Sequence, residues 1–105
     1  MLRIVDPTSQ GLAAALALLD CWNLTVSAKG ELLVEPWRRA ISLGEFGVLV
    51  KRMAVEIQPG NLSLIVFDFT SARMASHAQF VCANLVQALG HRLGTPCVLF
   101  PAHAA

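Results

Sequence analysis

The stretch from Leu62 to Phe69 constrains this chain more than any other. It is a nearly unbroken run of β-forming apolar residues with Leu64-Ile65-Val66-Phe67 at its heart. A strand that wets one face alternates apolar and polar residues. A continuous run is what a central strand covered on both faces requires. After it, Ala78, Cys82, Leu85, Leu89 and Leu93 recur at helical spacing, with Gly94 as the stop. Pro96-Cys97-Val98-Leu99-Phe100-Pro101 then reads as a short final strand. Strand, helix and strand in succession predict a right-handed parallel crossover.

The chain ahead of this unit divides as readily. Asp6-Pro7 is a helix start, with an N-cap residue followed by proline at the first helical position. Leu12, Leu16 and Leu19 follow on one stripe beside Ala15 and Trp22, which predicts a helix from about Pro7 to Trp22. Leu24 to Ala28 alternates with period two, Lys29-Gly30 makes a turn, and Glu31 to Glu35 completes a β-hairpin that Pro36 ends. Ser42-Leu43-Gly44-Glu45 is a capping box, and Phe46, Leu49, Val50, Met53 and Ile57 form the stripe of a second helix stopped by Pro59-Gly60. Ser76-His77-Ala78-Gln79 has the spacing of a second capping box. The expected fold is a single α/β domain over residues 1–105, with a mixed sheet of about four strands in the order α-β-β-α-β-α-β and a C-terminal parallel β-α-β unit.

Composition enters where partners are concerned. Hydrophobic residues make up 55% of the 105 and charged residues 14%, against about 25% charged in an ordinary domain. That excludes intrinsic disorder. A small domain cannot bury so much apolar surface, so some is expected to meet a partner or a second copy. The net charge of +1 gives no electrostatic case for nucleic acid or acidic lipid. After Asp68 only Arg73 and Arg92 carry a full charge, which makes the C-terminal third either core or interface. Asp6, Pro7 and Asp20 interrupt the apolar N-terminal stretch too early for a signal peptide or a membrane span, so a soluble, unsecreted protein is expected. Cys21, Cys82 and Cys97 sit in apolar runs without framework spacing and read as reduced thiols of a cytoplasmic protein.

The polar residues that could carry chemistry gather where parallel strands end, the usual place for ligands in such sheets. They are Asp68, Thr70, Ser71, Ser76 and His77. Their structural roles would be a turn at Asp68, a loop shaped by Thr70 and Ser71, and a helix cap at Ser76. A helix start can also hold an anion. A catalytic triad of Ser76, His77 and Asp68 is disfavoured because neighbouring side chains on a helix point apart, and no nucleophile-elbow motif is present. His77, His91, His103, Cys82 and Cys97 lack metal-ligand spacing, and the glycines form no nucleotide-binding pattern, so no metal or cofactor is expected. Trp37-Arg38-Arg39 sets an aromatic beside two cations, a weak nucleic-acid signal on a neutral domain. Either hairpin strand could accept a strand from another chain, although Lys29, Glu31 and Pro36 look like edge protection.

From Leu24 onward the order β-β-α-β-α-β resembles the STAS domain. The closest local likeness is Leu64-Ile65-Val66-Phe67-Asp68-Phe69-Thr70, then Ser76 before a helix, then a strand ending at Pro101. The resemblance implies a non-catalytic domain that binds protein partners such as kinase-type anti-sigma factors. It places a possible phosphorylation switch on Ser76, flanked here by Ala75 and His77. Leu16 to Ile57, read as helix, hairpin and helix, also resembles the TubC-type docking domains of modular synthetases, which dimerise and capture a short peptide along the hairpin. Together these readings expect a self-associating, regulatory protein-interaction module whose surface includes Asp68, Thr70, Ser71, Arg73, Ser76, His77 and Phe80. The alternatives are a small ligand-binding protein or enzyme using Asp68, Ser76 and His77, and a mobile-element or phage accessory protein that binds a host protein.

Overall fold

The computed structural model describes residues 22–37, 40–72 and 75–100. Four strands and two helices follow one another as β1 (Trp22–Val26), β2 (Glu31–Pro36), α1 (Leu43–Glu56), β3 (Leu64–Asp68), α2 (Ser76–Leu93) and β4 (Cys97–Phe100). The strands form one mixed sheet in the order β1-β2-β3-β4. β1 and β2 are antiparallel, whereas β2–β3 and β3–β4 are parallel. This is the α/β architecture expected, less the N-terminal helix, whose residues up to Cys21 lie outside the described ones.

Trp22 belongs to β1 rather than to that helix. It fits a helical stripe with Leu19, but it also alternates with Leu24 and Val26, and all three are buried. Opposite Pro36 in the ladder, it is held by strand pairing. Gly30 makes the hairpin turn at φ +80°, a backbone conformation that side chains with a Cβ rarely adopt. The turn is also tied to the next strand. Ser63 donates its backbone N–H to Gly30 O at 3.0 Å and its hydroxyl to Lys29 O at 2.9 Å. β2 therefore lies inside the sheet, paired on both sides, and its Glu31 does not guard an edge.

α1 begins as its sequence predicts. Ser42 Oγ accepts from the Glu45 N–H at 3.1 Å, and Glu45 Oε1 accepts from the Ser42 N–H at 3.4 Å. α2 does not. Its N-cap is Ala75, in an extended conformation and without a side-chain cap bond, so Ser76 is the first helical residue. At the other end Gly94 closes α2 in the left-handed conformation, as expected.

Both helices lie on one face of the sheet. Trp22, Leu24, Val26, Leu32, Val34, Ile65 and Phe67 meet Phe46, Leu49 and Met53 of α1 and Cys82, Val86, Leu89 and Leu93 of α2 in a single core. In α2 the buried stripe runs through Val86, with Leu85 half-buried beside it. β3 is shorter than the apolar run that contains it and alternates in burial. Ile65 and Phe67 are buried, whereas Leu64, Val66 and Asp68 on the other face are half-buried. The described helices thus cover one face of the central strand and not both. Thr95 locks the α2–β4 connection, its buried hydroxyl donating to Leu62 O at 3.1 Å.

Candidate functional site

The parallel strands β2, β3 and β4 end together at Pro36, Asp68 and Phe100. The residue after β2, the loop after β3 and the first turns of both helices lie at that end. The aromatic residues gather there too. Trp22 packs on Phe69 at 5.8 Å between ring centroids, and Phe46 meets Phe67 and Phe69 edge-on at 5.6 and 5.4 Å. Edge-to-face pairs of this kind are the favoured geometry for aromatic quadrupoles. The Trp22 indole N–H is buried and has no hydrogen-bond partner among the described residues.

The remaining aromatics at this end face water. Trp37 is 49% exposed, Phe80 58% and Phe100 46%. Phe100 is the Cα partner of Asp68 across the β3–β4 ladder, so it flanks the polar cluster directly. The sequence leaves the C-terminal third as either core or interface and does not single out Phe100. All four residues of β4 are apolar, so only the fold separates half-buried Cys97 and Leu99 from exposed Val98 and Phe100.

Asp68 is half-buried at the last position of β3. Its Oδ1 accepts from the Thr70 backbone N–H at 3.1 Å and from the Thr70 hydroxyl at 2.7 Å. This is the turn-forming role that an aspartate takes when it bonds the backbone two residues on. Phe69 N–H donates to Phe100 O at 2.7 Å and Ala72 N–H to Phe69 O at 3.0 Å, which completes the loop. Ser71, Ser76 and His77 are exposed. Arg73 lies outside the described residues. Ser76 and His77 occupy the first two positions of α2, where successive side chains diverge by about 100°. No hydrogen bond joins Asp68, Ser76 and His77 among the described residues. The structure thus places Asp68, Thr70, Ser71, Ser76, His77 and Phe80 at one end of the sheet without building a proton relay from them.

Burial pushes the thiols of Cys82 and Cys97 up to about 11, so both are protonated near neutral pH and poor nucleophiles. Among the described residues no group of three or more His, Cys, Asp or Glu side chains is placed to hold a metal ion. No described helix is long and apolar enough to cross a membrane. A groove of about 430 Å³ lies at the opposite end of the sheet, between the last turns of α2 and the start of β4.

This fold and this surface define the class of the molecule as a small α/β domain with a mixed four-stranded sheet. No family model, no curated protein and no solved structure matches the chain.

Proposed function

We propose that this protein is a non-catalytic, STAS-like interaction module that docks a protein partner at the C-terminal ends of its parallel strands. One observation carries the reading. All the exposed aromatic side chains, Trp37, Phe80 and Phe100, lie at that end, around a loop whose aspartate Oδ1 is engaged in holding the loop's own shape. Solvent-exposed aromatics set among small polar groups are typical anchors of protein interfaces, where they bury large areas at low entropic cost. The order β-β-α-β-α-β and the exposed serine at the start of α2 support the STAS-like part of the proposal. A phosphate on Ser76 would meet the free amides of the helix start, a favourable place for added negative charge, and would alter the docking surface beside Phe80. Protonated, unpaired thiols at Cys82 and Cys97 fit a cytoplasmic setting.

The test is comparative capture. Immobilised wild-type protein and the Phe80→Asp and Phe100→Asp variants are exposed to the same lysate of the source cells, and bound proteins are quantified by mass spectrometry. The expected result is a protein retained by the wild type and reduced at least tenfold with either variant, whose circular dichroism and melting remain those of the wild type. Equal retention by all three removes the strand-end surface from consideration. Unfolding of Phe80→Asp would make Phe80 part of the core.

A further inference from the structure

We propose that the outer edge of β4 and the adjoining side of α2 form the contact between two copies of this chain, joined about a two-fold axis into one eight-stranded sheet. The inference does not rest on the strand-end surface. It starts from the unpaired half of β4. Ile65 N–H donates to Pro96 O and Phe69 N–H to Phe100 O, so alternate residues of the final strand turn their backbone groups toward β3. The amides and carbonyls of Cys97 and Leu99 therefore point to the outer edge, where no described strand meets them. Natural edges are commonly blunted by charge or by bulges. Cys97-Val98-Leu99-Phe100 carries no charge and pairs with β3 in continuous register.

The flank above this edge has the same character. The only Lys, Arg, Asp or Glu in α2 is Arg92. A Cβ on Gly90 would come within 3.0 Å of Thr95 O and 3.6 Å of Cys97 Cβ, which identifies the side of α2 that looks at β4. Seven residues earlier, on the same side, stands Ala83. Val86, Gln87, Gly90 and His91 line the groove against Pro96 and Cys97. Arg92 is exposed, two residues on from Gly90 and so about 200° round the helix from the side that meets β4. The other exposed full charges among the described residues are Lys51 and Arg52 on α1 and Lys29 and Glu31 at the hairpin. Depletion of charge marks the centre of protein interfaces, and here it also removes like-charge repulsion between identical surfaces.

The geometry is self-complementary. Antiparallel pairing of two β4 strands about Val98 sets each Cys97 opposite the second copy's Leu99, which uses all the outward backbone groups of both residues. Gly90 is level with Cys97, and Val98 is about 3.3 Å further along the strand. At about 1.5 Å per residue, the same height on the antiparallel helix falls near residue 88. A two-fold between Val86 and Gln87 lies within about 2 Å of that height and sets Ala83 against the second copy's Gly90, small against small. Continuing the sheet at ~4.8 Å per strand spaces the two helices by about two strand separations, ~10 Å, the normal distance for packed helices. The contact face is about 27 Å long, from the length of α2, and about 20 Å deep across the two layers, or roughly 540 Å² in projection. Side-chain relief raises the accessible area above that figure, toward the roughly 600–1,000 Å² per partner found in stable complexes. A second copy of the chain is thus the occupant that matches the edge, the flank and the area together.

Sedimentation velocity and native mass spectrometry of the full chain between 1 and 100 µM (chosen as about the range in which such interfaces dissociate) give the test. The expected species is a dimer, twice the 11.3 kDa chain mass. Gln87→Arg and Gln87→Glu each bring two like charges together beside the two-fold, so both are expected to raise the dimer dissociation constant at least tenfold. Leu99→Pro removes an outward N–H without touching the β3 ladder and is expected to do the same. Gln87 is exposed, so the Gln87 variants should keep the wild-type circular dichroism spectrum. A monomer at the highest concentration, or a dimer indifferent to both Gln87 variants, overturns the proposal.

Discussion

Two serines occupy similar sequence contexts in this chain, and the structure gives them different energetic roles. Ser42-Leu43-Gly44-Glu45 and Ser76-His77-Ala78-Gln79 both have the spacing of a capping box, but only the first closes. Ser42→Ala removes the acceptor for the Glu45 N–H at 3.1 Å and frees the Glu45 carboxylate from the Ser42 hydroxyl at 3.2 Å. Loss of such a cap costs ~1 kcal/mol, within a range of about 0.5–2. The site is exposed, and water re-solvates the released amide, which keeps the value near the middle of that range. With a urea m-value near ~1.5 kcal/mol/M, the unfolding midpoint falls by ~0.7 M. Ser76→Ala removes no cap bond and places a better helix former at the first helical position, so its midpoint should stay within about 0.3 M or rise slightly. Urea titrations followed by circular dichroism, with shared m-values, measure both. Equal losses for the two serines, or a loss of ~1 kcal/mol at Ser76 alone, would refute the assignment of Ala75 as the N-cap. The contrast bears on function as well, because a Ser76→Ala protein of unchanged stability lets any effect on partner binding be read directly.

Thr95→Val keeps the side-chain shape but strands the buried Leu62 carbonyl, which now accepts from Thr95 Oγ1 at 3.1 Å; stability should fall by about 1–3 kcal/mol in the same titration, and a change below ~0.5 would count against this bond. The alkaline limb of stability follows from the cysteines. Burial raises Cys82 and Cys97 from 9.0 to about 11, so the folded state holds these protons more tightly than the unfolded chain does. Their stabilising contribution is complete below pH 9 and is lost as pH rises toward 11, so the melting temperature should fall through that window and fall less in a Cys82→Ala/Cys97→Ala variant. An identical alkaline decline in that variant would assign the effect to other groups.

Local chemistry was legible in the sequence wherever a single residue decides the backbone. Gly30 and Gly94 marked a turn and a helix end that only a left-handed conformation completes. Ser42 marked a helix start, and Asp68 a turn. Ambiguity began where two periodicities overlapped. Trp22 continues both a helical stripe and a strand alternation, and pairing opposite Pro36 decides between them. The capping motif at Ser76 has the right residues at the right spacing, but a cap also needs its serine just outside the helix, and Ala75 holds that place. What lay beyond reach was register. Nothing local shows that Phe100 sits beside Asp68, because that contact joins residues 32 positions apart through the β3–β4 ladder. The strand order decides that Glu31 belongs to an inner strand and that β4, like β1, is an edge among the described strands.

The sheet is laid down in the order in which it is encoded, with each strand beside the one before it. Leu32 pairs with Ile65, and Ile65 with Cys97, so after the hairpin each parallel step of the sheet spans 32 or 33 residues. A ribosome extending this chain never has to hold an early strand waiting for a distant partner. Once the hairpin has emerged, each further helix and strand docks against a surface already formed, and assembly proceeds in one direction as synthesis does. Of the described strands, the last to be synthesised is then the one left at an edge of the sheet. That strand, β4, joins last, onto a surface the other three have already built.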